Sequence, residues 1–193
     1  MSKTLDLGCG LQANNPFNAD ELFGVDLATP TEQITFQFTR VNIATEKLPY
    51  PDSYFDYVSA FDVIEHIPRH AIDFRDNSIK TPFITLMNEI HRVLKPDGIF
   101  YALTPCYPAG QTFQDPTHVN FITKDTHVYF CGEDCYAKRY GFRGNFEAIE
   151  IRWMYSKYGK SAERSTLITL KNWHKKYFKG GLTHLVWQLK AVK

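Results

Sequence analysis

The sequence predicts an α/β fold, an open and largely parallel sheet with helices on both faces. Three observations point there. Short apolar or alternating segments of strand character interleave with helix-like ones along most of the chain. An apolar run at residues 4–7 ends in the turn Gly8-Cys9-Gly10, and a second such run ends in Gly24-Val25-Asp26. One amphipathic segment at residues 81–95 lies between two strand-like runs. Alternation of this kind builds a sheet whose crossovers cover its faces.

The elements follow in order. Residues 4–7, 22–26, 34–41 and 55–61 read as strands from their short apolar or alternating patterns. Residues 81–95 form the best helix: Thr81 can cap it, Pro82 suits the first helical position, and Phe83, Leu86, Met87, Ile90, Val93 and Leu94 make one apolar stripe. Lys95 suits the negative helix end, and Pro96-Asp97-Gly98 stops the helix before a strand at 99–103. Residues 125–140 read as a further helix, 146–155 as a strand, 162–178 as a basic helix and 182–192 as a final strand after Gly180-Gly181. With no internal repeat or linker, one domain over residues 1–193 is the economical reading.

Composition excludes several classes. The formal net charge of +1 gives no bulk electrostatic case for nucleic acid or an anionic membrane as partner. No apolar run is long enough to span a bilayer, and no basic-then-apolar leader precedes Leu5. Four cysteines in 193 residues do not make a disulfide framework, so a reducing, cytoplasmic setting is expected.

The glycine turn carries the first functional signal. Gly8 and Gly10 permit a tight turn and leave room for a ligand lying on the backbone, and Asp26 can accept two hydrogen bonds from a ribose diol. The spacing also satisfies a relaxed dinucleotide fingerprint, so a nicotinamide oxidoreductase is one reading. That mechanism needs a long helix from the second glycine to hold a pyrophosphate, and Asn14-Asn15-Pro16 interrupts such a helix at once. A cofactor without phosphates tolerates that loss better.

Three further motifs occur in order: Leu48-Pro49-Tyr50-Pro51-Asp52-Ser53-Tyr54-Phe55-Asp56, Asp62-Val63-Ile64-Glu65-His66-Ile67 and Val93-Leu94-Lys95-Pro96-Asp97-Gly98. With residues 5–10 and Asp26, the chain resembles the class I S-adenosylmethionine-dependent methyltransferase family, of the small-molecule type, over residues 5–104. The resemblance implies a doubly wound, Rossmann-like and mostly parallel sheet of seven strands, the last antiparallel. It implies S-adenosylmethionine as cofactor. It places Asp6, Gly8 and Gly10 against the methionine part and Asp26 on the ribose. Asn42 would accept from the adenine amino group, where the family commonly has an aspartate, and Ile43 would pack on the adenine ring. Ala60, Phe61 and Asp62 would lie beside the methionine moiety. The family's usual N-terminal lid helices are missing, so the cleft is expected to be open, covered by residues 105–125, a second copy or a partner chain.

Residues 104–123 leave the sheet on the ligand side and carry Asp115, His118 and Asn120. In related methyltransferases this region shapes the acceptor site. His118 is the candidate base and Asp115 its orienting partner; both could instead pin the loop. His66 is the rival candidate. The expected acceptor is a small molecule or sugar-like metabolite, methylated at oxygen. The alternative is a non-catalytic cofactor-binding regulatory subunit, motivated by the missing lid. His127, Cys131 and Cys135 would share one helix face, but that spacing does not match structural zinc motifs, and no metal is expected. Lys171, His174, Lys175, Lys176 and Lys179, among Trp173, Tyr177 and Phe178, read as a solvated helix face or as a contact for an acidic acceptor.

Overall fold

A computed structural model describes residues 1–163, 165–178 and 181–193. Arg164 within the expected basic helix, Lys179 of the basic run and Gly180 of the glycine pair lie outside the described residues. The strands are β1 (Lys3–Leu7), β2 (Glu21–Asp26), β3 (Gln37–Arg40), β4 (Phe55–Phe61), β5 (Ala71–Asp73), β6 (Ser78–Lys80), β7 (Leu94–Pro105), β8 (Phe146–Met154) and β9 (His184–Ala191). The helices are α1 (Pro82–Val93), α2 (Gln111–Gln114) and α3 (Thr166–Phe178).

Seven strands form one sheet in the order β3-β2-β1-β4-β7-β9-β8. The first five run parallel, and β9 runs antiparallel to both β7 and β8. This is the expected seven-stranded, mostly parallel sheet with its last strand reversed. Strand order turns back beside β1, which pairs with β2 on one side and β4 on the other, so the carboxyl ends of β1 and β4 flank the crevice where such sheets bind ligands.

Side-chain alternation along β7 separates two cores. Phe100 and Ala102 point into the larger cluster, Tyr101 and Leu103 into the smaller. On the larger side α1 buries Phe83, Leu86, Met87, Ile90 and Val93, each contributing ~1.5–3 kcal/mol. On the smaller side Phe17, Tyr158, Ala162 and Ile168 of α3 pack against Tyr101, Leu103, Met154 and Val186. Phe17 stacks on Tyr57 with ring centroids 4.2 Å apart.

The β1–β2 and β2–β3 crossovers contain no helix among the described residues. Residues 11–20 cover part of the sheet as an irregular segment anchored by Asn15, whose side chain both accepts from Ala19 N (2.8 Å) and donates to its carbonyl (2.9 Å). The broken helix expected after Gly10 is thus absent, and with it the helix terminus a dinucleotide pyrophosphate needs.

Four expectations are corrected. Helix α1 ends at Val93 rather than Lys95, because Leu94 is already extended and pairs with Phe55. Lys95 belongs to β7, where its ammonium lies 2.8 Å from Asp56. Thr81 makes no side-chain cap; Phe83 N instead donates to Pro68 O at 3.1 Å. Residues 125–140 are not one helix but two 3-10 turns, Thr126–Phe130 and Tyr136–Tyr140. Between them Gly132 takes φ +90° and donates to Phe146 O, and Cys131 bridges to Phe146, so pairing at the sheet edge displaces the continuous helix. His127, Cys131 and Cys135 therefore do not share a helix face.

The motif at Leu48 has a structural role. Arg92 of α1 donates to the Leu48 and Tyr50 carbonyls at 2.9 and 2.8 Å, to Asp52 at 2.9 Å and to Glu89 at 2.7 Å. Glu89, nearly buried, accepts in turn from Leu48 N at 3.0 Å. Arg92, paired with both Asp52 and Glu89, thus fastens this loop to the helix behind β4.

Candidate active site

The glycine turn is built as its residue types demand. Gly8 has φ +65° and Gly10 φ +54°, a region L side chains rarely adopt. A Cβ on Gly8 would meet Val63 Cγ2 at 2.4 Å, whereas one on Gly10 would meet nothing within 4 Å. Gly8 is therefore glycine for packing as well as for φ, and Gly10 leaves open space above the turn.

Asp6 is fully buried beneath the turn. Its Oδ1 accepts from Ser59 Oγ at 2.7 Å, and its Oδ2 accepts from Asn14 N (2.7 Å) and Asn14 Nδ2 (3.0 Å). It ties β1 to β4 and to the segment after the turn. Burial pushes its carboxyl up to about 6 against these three donors. Asp26 ends β2 half-exposed; its Oδ2 accepts from Gly10 N at 3.0 Å and its Oδ1 from Ala28 N at 2.9 Å.

Beyond β2 and β3 lies a shallow cleft of about 280 Å³, lined by Leu27, Arg40, Asn42, Thr45 and Glu46. Asn42 Oδ1 accepts from Ala44 N at 3.1 Å, and Asn42 N donates to Glu46 at 2.7 Å. Ile43 is half-buried and packs against the larger core. Leu27, Arg40 and Glu46 were not singled out from sequence; each is an ordinary surface residue type, and only its place at a strand end brings it to the cleft.

A second cleft of about 510 Å³ opens beyond β4 and β7, lined by Asp62, Glu65, His66, Asp115, His118 and His184 among others. Phe61 packs its ring against Tyr101 in the smaller core. Asp62 has φ +54° and accepts from His184 Nε2 at 3.0 Å. His184 escaped the sequence reading. It opens β9, which runs against the other strands, so its first residue, paired with Pro105, falls at the carboxyl end of the sheet.

The loop after β7 is stitched to the segment after β4. Val119 N and Asn120 N both donate to Glu65 O at 2.9 Å, and buried Asn120 donates to Ile64 O and accepts from Arg69. This brings His118 beside His66, with ring centroids 4.8 Å apart. His118 Nδ1 lies 3.0 Å from Thr112 O. A carbonyl only accepts, so Nδ1 carries the proton and Nε2 the lone pair. Asp115 does not orient His118; its carboxylate accepts from Thr117 N (2.8 Å) and Thr117 Oγ1 (2.6 Å). With that hydroxyl proton spent on Asp115, Thr117 Oγ1 accepts from His66 Nδ1 at 3.0 Å, which leaves His66 Nε2 unprotonated as well.

Glu65 is 1% exposed. Its Oε2 accepts from Thr104 Oγ1 at 2.9 Å, and its Oε1 has no hydrogen-bond partner. Burial pushes its carboxyl up to about 7, reinforced by the nearby charge of Asp62.

Residues 5–102 match the family described as Methyltransferase domain, and the chain belongs to it. S-adenosylmethionine is the cofactor of this class I methyltransferase domain. The Arabidopsis thaliana protein named "Probable methyltransferase PMT7" is 28% identical over a stretch covering 58% of this chain and 19% of its own length, so the chain spans about a fifth of that relative. A chain of the structure described as "Complex between the Haloferax volcanii Trm112 methyltransferase activator and the putative methyltransferase" superposes with a TM-score of 0.58 at 15% identity, over 100% of this chain and 83% of that one. An S-adenosylmethionine-dependent methyltransferase from Mesorhizobium loti gives a TM-score of 0.56 at 14% identity, over 97% and 90% of the two chains. Among the described residues no helix is long and apolar enough to cross a membrane.

The residues present suit the cofactor. The glycine turn leaves the space above Gly10 free, Asp26 stands half-exposed beside it, and the cleft at Asn42 continues past the end of β2.

Proposed function

We propose that this domain methylates an oxygen of a small-molecule or sugar-like acceptor, with His118 as the base. The observation that carries the reading is the His118 ring on the wall of the 510 Å³ cleft, its Nδ1–H fixed on Thr112 O and its Nε2 free to accept a proton. The cleft has the size of a small-molecule site. Asp6, Gly8, Gly10, Asp26, Asn42, Ile43, Phe61 and Asp62 are the residues assigned to the cofactor side, from the turn across the ends of β2, β3 and β4. Asp6 and Ile43 act from beneath, by holding the segment after the turn and the backbone beyond β3.

Bound S-adenosylmethionine supplies an electrophilic methyl group on sulfur. The acceptor hydroxyl gives its proton to His118 Nε2. Its oxygen pair forms the new O–C bond while the C–S bond breaks and its electrons stay on sulfur. Geometry supplies much of such a displacement, since the nucleophile must lie in line with the departing sulfur. Asp115 is a positioning residue here: it holds Thr117, which holds His66. The four cysteines are free, and burial raises Cys9 and Cys106 to about 12, which supports a reducing, cytoplasmic setting with inert thiols.

The test is turnover of S-adenosylmethionine with a panel of hydroxylated metabolites and sugars, read as S-adenosylhomocysteine. His118→Ala should lower kcat 10²–10⁴-fold, the usual worth of a positioned base. Full turnover by His118→Ala on an identified acceptor removes the base. A wild-type protein that binds the cofactor yet forms no product with any acceptor favours the non-catalytic subunit.

A further inference from the structure

We propose that Glu65, His66 and His118 form a site for one divalent transition-metal ion of the zinc or manganese class. One donor atom from each of the three lies within 4.8 Å of the other two. The two histidines come from different segments, the turn after β4 and the loop after β7. The Val119 and Asn120 N–H bonds to Glu65 O hold those segments together.

Three independent features point to a ligand rather than to a chance cluster. Both Nδ1–H groups are spent on the protein, on Thr112 O for His118 and on Thr117 for His66, which presents each Nε2 lone pair as metal-binding imidazoles require. Behind His66, Thr117 hands the connection on to Asp115, so a carboxylate backs that imidazole through one hydroxyl. Finally, Glu65 Oε1 is buried without a hydrogen-bond partner, while its sister oxygen is held by Thr104. An acceptor left bare in the interior costs free energy unless a cation or donor meets it.

Two imidazoles and one carboxylate on one side of a cleft leave coordination positions open toward the cavity. The role of the ion rests on reading this cleft as the acceptor site. An acceptor hydroxyl on the ion loses its proton to solvent at a lower pH than it would free. Its oxygen pair then forms the O–CH₃ bond as the CH₃–S bond breaks, leaving the electrons on sulfur. In the loaded protein His118 serves as ligand, and activation of the hydroxyl passes to the ion.

The experiment uses the whole chain, stripped with chelator and titrated with Zn²⁺ and with Mn²⁺ by calorimetry, while bound metal is counted after gel filtration. One equivalent is expected. Glu65→Gln, His66→Ala and His118→Ala should each weaken uptake at least 100-fold, and Thr117→Val 10-fold or more. His174→Ala, on α3, controls for adventitious surface binding and should bind as wild type. Circular dichroism confirms that each variant is folded. No uptake by folded wild type, or uptake unmoved by Glu65→Gln and His118→Ala, overturns the site. Methyl transfer by stripped enzyme as fast as by loaded enzyme overturns the catalytic role while leaving the oxygen-methylation reading intact. Stoichiometric metal with no transfer to any hydroxyl does the reverse: the site stands and the acceptor reading falls.

Discussion

Alanine at Gly8 and at Gly10 should separate two reasons for a glycine that look identical in sequence. Both positions have φ near +60°, and forcing an L residue there costs ~1–2 kcal/mol. Gly10→Ala adds nothing further, since no atom lies within 4 Å of the new Cβ. Gly8→Ala must also accommodate Val63 Cγ2 at 2.4 Å. Valine is stiff about χ1 and its neighbours in the core are close-packed, so this overlap adds ~1–3 kcal/mol. Urea denaturation should therefore show Gly8→Ala losing ~2–5 kcal/mol and Gly10→Ala ~1–2 kcal/mol, with equal m-values. Measured against Val63→Ala alone, Gly8→Ala should then cost only the backbone part. Calorimetry supplies the functional half: Gly10→Ala should bind S-adenosylmethionine at least tenfold more weakly although it folds well, because its methyl group stands in the space left for the ligand. Equal destabilisation at the two glycines, or a Gly8→Ala cost unchanged by Val63→Ala, would refute the packing argument. Wild-type affinity in Gly10→Ala would refute the placement of the cofactor.

Three other predictions follow the same logic. Asp26→Ala should weaken S-adenosylmethionine binding by ~1.5–3 kcal/mol, the worth of hydrogen bonds to a charged group, and calorimetry with unchanged affinity would remove Asp26 from the site. Arg92→Ala leaves the nearly buried Glu89 without its cationic partner, with only the Leu48 N–H, and frees the Leu48 and Tyr50 carbonyls, so chemical denaturation should register a loss of about 3 kcal/mol; a loss under about 1 kcal/mol would show that the loop is held by other contacts. Asp6 makes stability depend on pH. Its carboxyl rises from 3.8 to about 6 on folding, so between those values the native state binds more protons than the unfolded chain. Stability attributable to Asp6 is thus full below about pH 4 and falls by ~3 kcal/mol as pH rises through 6. The difference in stability between wild type and Asp6→Asn, measured from pH 4 to 7, should carry that slope; a flat difference would mean the three donors keep Asp6 charged throughout.

Local chemistry made much of this molecule legible. The glycine turn, the acid closing β2 and the apolar stripe of α1 as far as Val93 depend on residues within a few positions of one another, and each stands where the sequence reading put it. Where the reading failed, longer-range pairing had intervened. The segment at 125–140 has helical composition, yet Cys131 and Gly132 bond to Phe146 and break it into two turns. Lys95 reads as a helix end, but pairing of Leu94 with Phe55 draws it into β7 and onto Asp56. The hairpin of β5 and β6 had no strong alternation to announce it.

The cleft beside His118 shows the same division. The sequence by itself determined the sheet and the glycine turn with Asp26 at the strand ends, because strand pattern and turn chemistry are local properties, and it offered His118 and His66 as candidates. Only the tertiary structure decided which groups meet. It brought His184 to Asp62 by reversing β9, and it placed Thr117 rather than His118 on Asp115. It also left Glu65 Oε1 bare beside two imidazoles with fixed protons. Apart from the local turn of Thr117 onto Asp115, none of these contacts has a spacing to read, since each joins segments far apart in the chain that meet only once the sheet has formed.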